Sequence, residues 1–500
     1  MVFSSVVFLF YFLPAFFLLY YLLPWKNTVL LVASLLFYGW GEPRYLPLLL
    51  FVIVLNYGFG LIVGEGRHRR ALMILGVAVN LGLLAYYKYF GFLGAQLDLL
   101  LPKLGISPLP LPKIALPLGI SFFTFQGISY LVDVYWGQVA AQRSLLKYAT
   151  YKAMFPQLVA GPIVRYAQVA DAMDNRQVDA ARLEGGIKLF AMGLGQKVLI
   201  ANTIAAPVDQ IFAFPTSSLT PEVAWLGAIG YGLQVYFDFC GYSNMAIGMG
   251  HMMGFTFPRN FNRPYAARSM IEFWSRWHIT LTRFLTIYVY NPIVLARTRA
   301  RLAKGLPLLT GRNATPGAFA SLLMMPTLFM MLLSGLWHGA GYTFIAWGLS
   351  HGIFLTINHA WRLIRPRFWP DTASYNRRMA PLAYALTIVA LAITLVFFRS
   401  DTIGHALRHL AAMFRPGGDH ELMALTRFVS PSVAVALVVG AALAVLPLPE
   451  IDPTARPVPA SVAAPLGWRT AMSAFCLALV GLSAVSLAAG TYNPFIYFRF

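Results

Sequence analysis

Two histidine-bearing stretches carry the residue types for proton-transfer chemistry. One reads Phe273-Trp274-Ser275-Arg276-Trp277-His278. The other reads Gly335-Leu336-Trp337-His338-Gly339-Ala340 and is followed by Trp347-Gly348-Leu349-Ser350-His351-Gly352. The second falls in sequence hydrophobic enough to sit in lipid. A titratable side chain there is costly unless it faces protein or a water-filled cavity, so it marks a functional site by default. Imidazole titrates near neutral pH and suits a general base. No G-x-S-x-G elbow accompanies His338, which favours direct transfer to an acceptor hydroxyl over a covalent serine enzyme. No second histidine lies at i+3 or i+4, so no metal site is expected. Gly335, Gly339 and Gly341 permit close approach of a substrate or a neighbouring helix. His351 shares the direction of His338 only if one helix runs unbroken through those glycines; otherwise it packs.

A third constellation is Tyr236-Phe237-Asp238-Phe239-Cys240-Gly241-Tyr242-Ser243-Asn244. On a helix Asp238 and Tyr242 are i, i+4 and share a face. They read as the polar wall of a tunnel or as a hydrogen-bonded network that fixes helix packing. Taken as one helix, Glu272 to Arg283 sets Phe273, Trp277 and Thr280 on one side and Trp274, His278 and Leu281 on another. Aromatic rings beside Arg276 and Arg283 fit an interfacial amphipathic helix. The plainer reading of His278 is a buried histidine with its hydrogen bond satisfied.

The elements that must position these residues are membrane helices. The chain has 500 residues, 58% hydrophobic and 11% charged, against roughly 25% charged in soluble proteins. Apolar runs of spanning length include Val6–Leu23, Tyr45–Val63, Ala71–Phe90, Val223–Met249, Ala318–Trp337, Pro381–Phe398 and Pro431–Leu446. Applied along the chain, the length rule gives roughly eleven to thirteen membrane segments in an all-α, polytopic protein. The first run has no basic n-region or cleavage site and is expected to stay as a membrane helix. Pro and Gly interrupt Leu116–Phe122 and Phe155–Pro162, which predicts re-entrant or broken helices around a cavity. The longest polar stretches are Pro-rich or Pro/Ser/Thr loops at 96–115 and 206–222, a charged interfacial segment at 171–184, a basic glycine-containing stretch at 297–317 and a Pro-rich connector at 450–467. None holds a soluble domain, so residues 1–500 read as a single integral membrane domain. Cys240 and Cys476 have no metal or disulfide spacing.

The net charge of +20 is unevenly spread. From Arg259 to Arg312 there are nine Arg and one Lys against Glu272 alone. Arg67-His68-Arg69-Arg70 and the run Arg362 to Arg378 are also basic. Basic loops remain cytoplasmic, which places the N-terminus outside. The charge also suits anionic lipid. No basic motif sits on a soluble domain, which argues against nucleic acid.

Together these stretches resemble the membrane-bound O-acyltransferase (MBOAT) family, in its branch of alginate O-acetyltransferase inner-membrane subunits. The resemblance runs from Met1-Val2-Phe3 through Leu116–Phe122, Ala160–Arg165, Tyr236–Ser243, Asn260–Tyr265, Glu272–His278 and Leu336–Gly339 to Phe397–Arg399 and Phe495–Phe498. The chain departs from the family at Ser275, where a second Arg is usual, and at Cys240 and Asn244. The resemblance implies a helical ring pierced by a tunnel, with the donor entering from the cytoplasm and the acceptor from outside. The family's invariant histidine falls on His338 and its second histidine on His278.

The implied reaction moves acetyl from acetyl-CoA, a substrate and not a bound cofactor, toward an exported polysaccharide such as alginate. The chain would lie in the bacterial inner membrane and hand the acetyl group to extracytoplasmic acetyltransferase partner proteins. His338 is then the base and His278 positions the donor or assists proton transfer. Asp238, Tyr242, Trp337, Trp277 and Asn262 line the tunnel or contact substrate. Arg263, Arg276 and Arg283 are available to the CoA phosphates, since guanidinium pairs well with phosphate. Alternatives are transfer of D-alanyl or another acyl group, a transporter or flippase for an acylated glycan, and a catalytically quiet scaffold.

Overall fold

The computed structural model describes residues 1–107, 111–112, 114–309, 315–447, 466–490, 492–493 and 495, and among them there is no β-strand. Residues 450–465 of the expected Pro-rich connector, and 496–498 of the C-terminal motif, lie outside the described residues. The main helices are α1 Leu13–Leu22, α2 Lys26–Gly41, α3 Leu46–Glu65, α4 Arg69–Leu100, α5 Ile120–Tyr135, α6 Leu145–Ala153, α7 Ala180–Gly195, α8 Asn202–Ala213 and α9 Pro221–Met252. They continue as α10 Met270–Arg276, α11 Ile279–Leu285, α12 Asn291–Ala303, α13 Met325–His338, α14 Tyr342–Ile364, α15 Thr372–Arg399, α16 Ile403–Phe414, α17 Pro431–Val445 and α18 Leu466–Ala488.

Among the described residues seven helical segments are long and apolar enough to cross a membrane, and Phe8–Leu22 and Pro431–Val445 are shorter apolar helices. This is fewer than the apolar runs suggest. Several runs are split into pieces too short to qualify, and α9, though 32 residues long, is studded with polar groups. Two expected loops begin as helix. Residues 96–104 extend α4 through a closing turn of 3₁₀ helix. Pro207 sits inside α8, so the loop there is confined to 214–220. The basic stretch after Arg297 also stays helical to Ala303. Helical backbone satisfies its own polar groups, which lipid cannot do, and this outweighs local proline and glycine signals.

Contacts group the chain into two compact units. The first is Met1–Leu199, Phe239–Arg259 and Glu450–Arg499; the second is Ile200–Asp238, Asn260–Pro449 and Phe500. In the first unit, Asn56 of α3 and Asn80 of α4 exchange amide hydrogen bonds of 2.9 and 3.1 Å. Such pairs join membrane helices where apolar side chains gain little over lipid. The two interrupted segments meet. Gly119 (φ 75°) starts α5, and a Cβ there would lie 2.6 Å from the Leu158 carbonyl oxygen. The buried Lys152 amine donates to the Phe123 carbonyl. Gly186 and Gly193 of α7 face Gly248 and Gly241 of α9. A Cβ on any of the four would fall 2.5–2.6 Å from the opposing backbone oxygen, the small-residue crossing that lets membrane helices touch along their backbones.

The second unit holds α13 and α14 as an antiparallel hairpin, with α15 returning beside α14. The hairpin crosses on glycines, because a Cβ on Gly335 would lie 2.3 Å from the Phe344 oxygen and one on Gly348 2.4 Å from that of Met331. At its far end α15 is pinned by Arg399, which donates to Asp209 at 2.7 Å. The amphipathic α16 is capped by the Thr402 hydroxyl and buries His409, whose Nε2 lies 3.1 Å from the Ala224 oxygen.

Candidate active site

The segment read as one helix from Glu272 to Arg283 is two helices with a break at Trp277–His278. Trp277 is extended and His278 is left-handed (φ 41°, ψ 53°). A non-glycine residue in that region costs roughly 1–3 kcal/mol and persists where its surroundings impose it. Here residues 260–263 form a strap across the break. Asn262 N–H donates to the Arg276 oxygen and Ile279 N–H to the Asn260 oxygen, both at 2.9 Å. The break turns His278 away from the face it would share with Trp274. Arg263, in the same strap, is also left-handed at φ 46°.

His278 is fully buried. Its Nδ1 lies 3.0 Å from Asn260 Oδ1, and its ring meets the Trp337 indole edge-to-face at 5.6 Å. Trp337 precedes His338, and those two rings are 4.7 Å apart. Trp337 therefore touches both histidines. His338 ends α13, and Gly339 breaks the helix with extended backbone. The hairpin then brings Trp347 of α14 to 4.9 Å from His338, and Phe398 of α15 reaches it at 4.9 Å. Three aromatic rings thus frame His338, and their edge-to-face contacts favour one ring orientation.

Because the helix stops at His338, His351 is not on its continuation. It lies on the returning helix behind Trp347, with ring centroids 4.7 Å apart, and accepts from Trp274 Nε1 at 3.2 Å. The glycines serve the hairpin: a Cβ on Gly339 would lie 2.1 Å from the Phe344 ring.

Trp277 is buried in an aromatic box of Tyr236, Phe261, Tyr265 and Phe273, with centroids 5.1–6.3 Å away. Asn262 is half-buried and joins the strap through its backbone. Asp238 is buried on α9 in the second unit. Tyr242, one turn later, falls in the first unit and stacks between Phe3 at 4.2 Å and Phe495 at 4.7 Å. Of the arginines expected at donor phosphates, Arg276 pairs with Glu272 at 2.8 Å. Arg283 is exposed and Arg263 half-buried. Among the described residues no three His, Cys, Asp or Glu side chains gather as a metal site. Asn260, Trp347 and Phe398 are site residues to which motif reading assigned no role, although each lies in a quoted stretch. The Asn-Phe-Asn-Arg-Pro-Tyr run contains the first of these.

The model of the membrane-bound O-acyltransferase family matches residues 139–306, which include Asn260 and His278. A probable alginate O-acetylase AlgI of Pseudomonas putida is 39% identical, with all of both chains covered. The chain belongs to the membrane-bound O-acyltransferase family. Further relatives of this acyltransferase include a peptidoglycan O-acetyltransferase of Helicobacter pylori, 34% identical over 83% of this chain and 80% of the other. A teichoic acid D-alanyltransferase of Streptococcus thermophilus is 30% identical over 49% and 57%. His278 and His338 thus sit on one indole in the interior of a multi-pass O-acyltransferase.

Proposed function

We propose that this O-acyltransferase moves an acetyl group from acetyl-CoA to a hydroxyl on an exported polysaccharide, directly or through an extracytoplasmic partner protein. The observation that carries the reading is the pair of buried histidines packed against Trp337. In this scheme His338 takes the proton of the acceptor hydroxyl as its oxygen attacks the thioester carbonyl. The tetrahedral adduct collapses, the carbon–sulfur bond breaks and CoA leaves as the thiolate, which then takes up a proton. His278 holds the donor or relays a proton. In the second unit Asp238, Trp277, Trp337 and Asn262 line the route, and Arg263, Arg276 and Arg283 are the arginines assigned to the CoA phosphates. Similarity over the full length to an alginate O-acetylase and over 83% of the chain to a peptidoglycan O-acetyltransferase, against 49% for a D-alanyltransferase, supports acetyl as the cargo.

Topology follows from the positive-inside rule. In the first unit the turn at Arg67–Arg70 lies in the cytoplasm and the N-terminus outside. In the second unit the basic stretches Arg297–Arg301 and Arg362–Arg378 are cytoplasmic, which puts the His338 end of α13 toward the exterior of a bacterial inner membrane.

The test is release of CoA thiol and transfer of labelled acetyl by the purified chain in nanodiscs, with candidate glycans and a periplasmic extract. Turnover in the wild type and none in His338→Ala supports the reading. Equal turnover in both removes His338 as the base. Transfer from a D-alanyl donor with none from acetyl-CoA would replace acetyl as the cargo.

A further inference from the structure

Asn260 is 1% exposed, and its Oδ1 is a hub. It lies 3.3 Å from Thr280 N, 2.9 Å from Thr280 Oγ1 and 3.0 Å from His278 Nδ1. A backbone N–H only donates, so the amide atom facing Thr280 N must be the oxygen. An amide oxygen only accepts, so His278 Nδ1 must carry the proton. In the neutral ring Nε2 then holds the lone pair. This orientation leaves Asn260 Nδ2 without a hydrogen-bond partner among the described residues, so the Thr280 N–H decides it.

His351 is held in the opposite form. Trp274 Nε1–H donates to its Nδ1, so its Nε2 carries the proton. The two imidazoles are therefore set in opposite tautomers by donors and acceptors with no freedom to exchange roles.

We propose that Asn260 is a positioning residue that fixes His278 with Nε2 as a proton acceptor. This rests on His278 taking part in acyl transfer. The main chain reinforces it. The Asn260 carbonyl accepts from Ile279 N–H at 2.9 Å, so one residue holds both the imidazole and the left-handed turn that aims it. The charged or titratable groups on the surrounding elements are Arg263 on the strap, Glu272 and Arg276 on α10, Arg283 on α11, Asp238 on α9 and His338 on α13. Glu272 and Arg276 neutralise one another.

The experiment compares wild type, Asn260→Leu, Asn260→Asp and His278→Ala, each full length in nanodiscs. Acetyl-CoA turnover is followed against pH, and the His278 tautomer is read by nitrogen NMR on ring-labelled protein. Asn260→Leu should lower kcat by about 100-fold, the scale of a general base, with little change in KM for acetyl-CoA. It should also lose the pure Nδ1–H signal. Asn260→Asp keeps the acceptor and restores turnover. Its carboxylate favours the imidazolium, so the acidic limb of the profile should move up by about one pH unit or more. A folding defect alone would leave that limb in place. Full activity in His278→Ala refutes the underlying reading of His278. An inactive His278→Ala together with an Asn260→Leu variant of unchanged rate, profile and tautomer refutes the role of Asn260.

Discussion

Replacing Gly335 with alanine adds a methyl group at the crossing of the α13–α14 hairpin. The new Cβ would lie 2.3 Å from the Phe344 oxygen, a shortfall of about 1.1 Å from the 3.4 Å of ordinary contact. The obstacle is backbone, and no side-chain rotation relieves it. The helices must part by about that distance, three residues from His338, which is framed by rings on both helices. Misplacing a reacting group by about 1 Å costs on the order of 100-fold in rate. Gly335→Ala should therefore lower kcat by about that factor in the CoA-release assay, while membrane levels remain normal. Gly341→Ala is the control. Its nearest neighbour would be 3.6 Å away and its extended backbone suits any residue, so turnover should stay within about twofold of wild type, as for an unstrained surface change. Wild-type turnover in Gly335→Ala would refute the argument that hairpin spacing sets the position of His338.

Arg399→Ala breaks a largely buried ion pair with Asp209; the side chains are 14% and 19% exposed. The loss should be about 3 kcal/mol, seen as a lower melting temperature and weakened activity as Phe398 loosens from His338. Trp274→Phe removes the donor to His351 Nδ1 and should cost about 1 kcal/mol of stability, with a nearly unchanged rate if His351 only packs; a large fall in kcat would bring His351 into the chemistry. Gly193→Leu should prevent α7 from meeting α9 and abolish folded protein in detergent, measured by monodispersity. A folded, monodisperse product would show that this crossing is dispensable.

Much of this protein was legible in its sequence. Long apolar runs demand helices because lipid offers no hydrogen-bond partner to open backbone, and the runs expected at Tyr45–Val63, Ala318–Trp337 and Pro381–Phe398 lie within the spanning helical segments Pro43–Glu65, Pro316–His338 and Thr372–Arg399, while Pro431–Leu446 forms a shorter apolar helix. The histidine stretches and the full-length family likeness were also on the page as residues. Periodicity failed where long-range bonds overrule it. A helical reading of Glu272–Arg283 has no term for a strap eighteen residues upstream whose backbone caps both sides of a break. The loop expected around Pro207 failed for the converse reason: in a hydrophobic helix one missing N–H costs less than exposing several more. Only the tertiary structure brought Trp337 between His278 and His338, closed Trp347 and Phe398 around the latter, and gave Asn260 an oxygen to offer His278. The longest of those contacts joins His338 to Phe398, 60 positions further on, and their geometry is set by helix crossings and glycine clearances that sequence spacing does not encode.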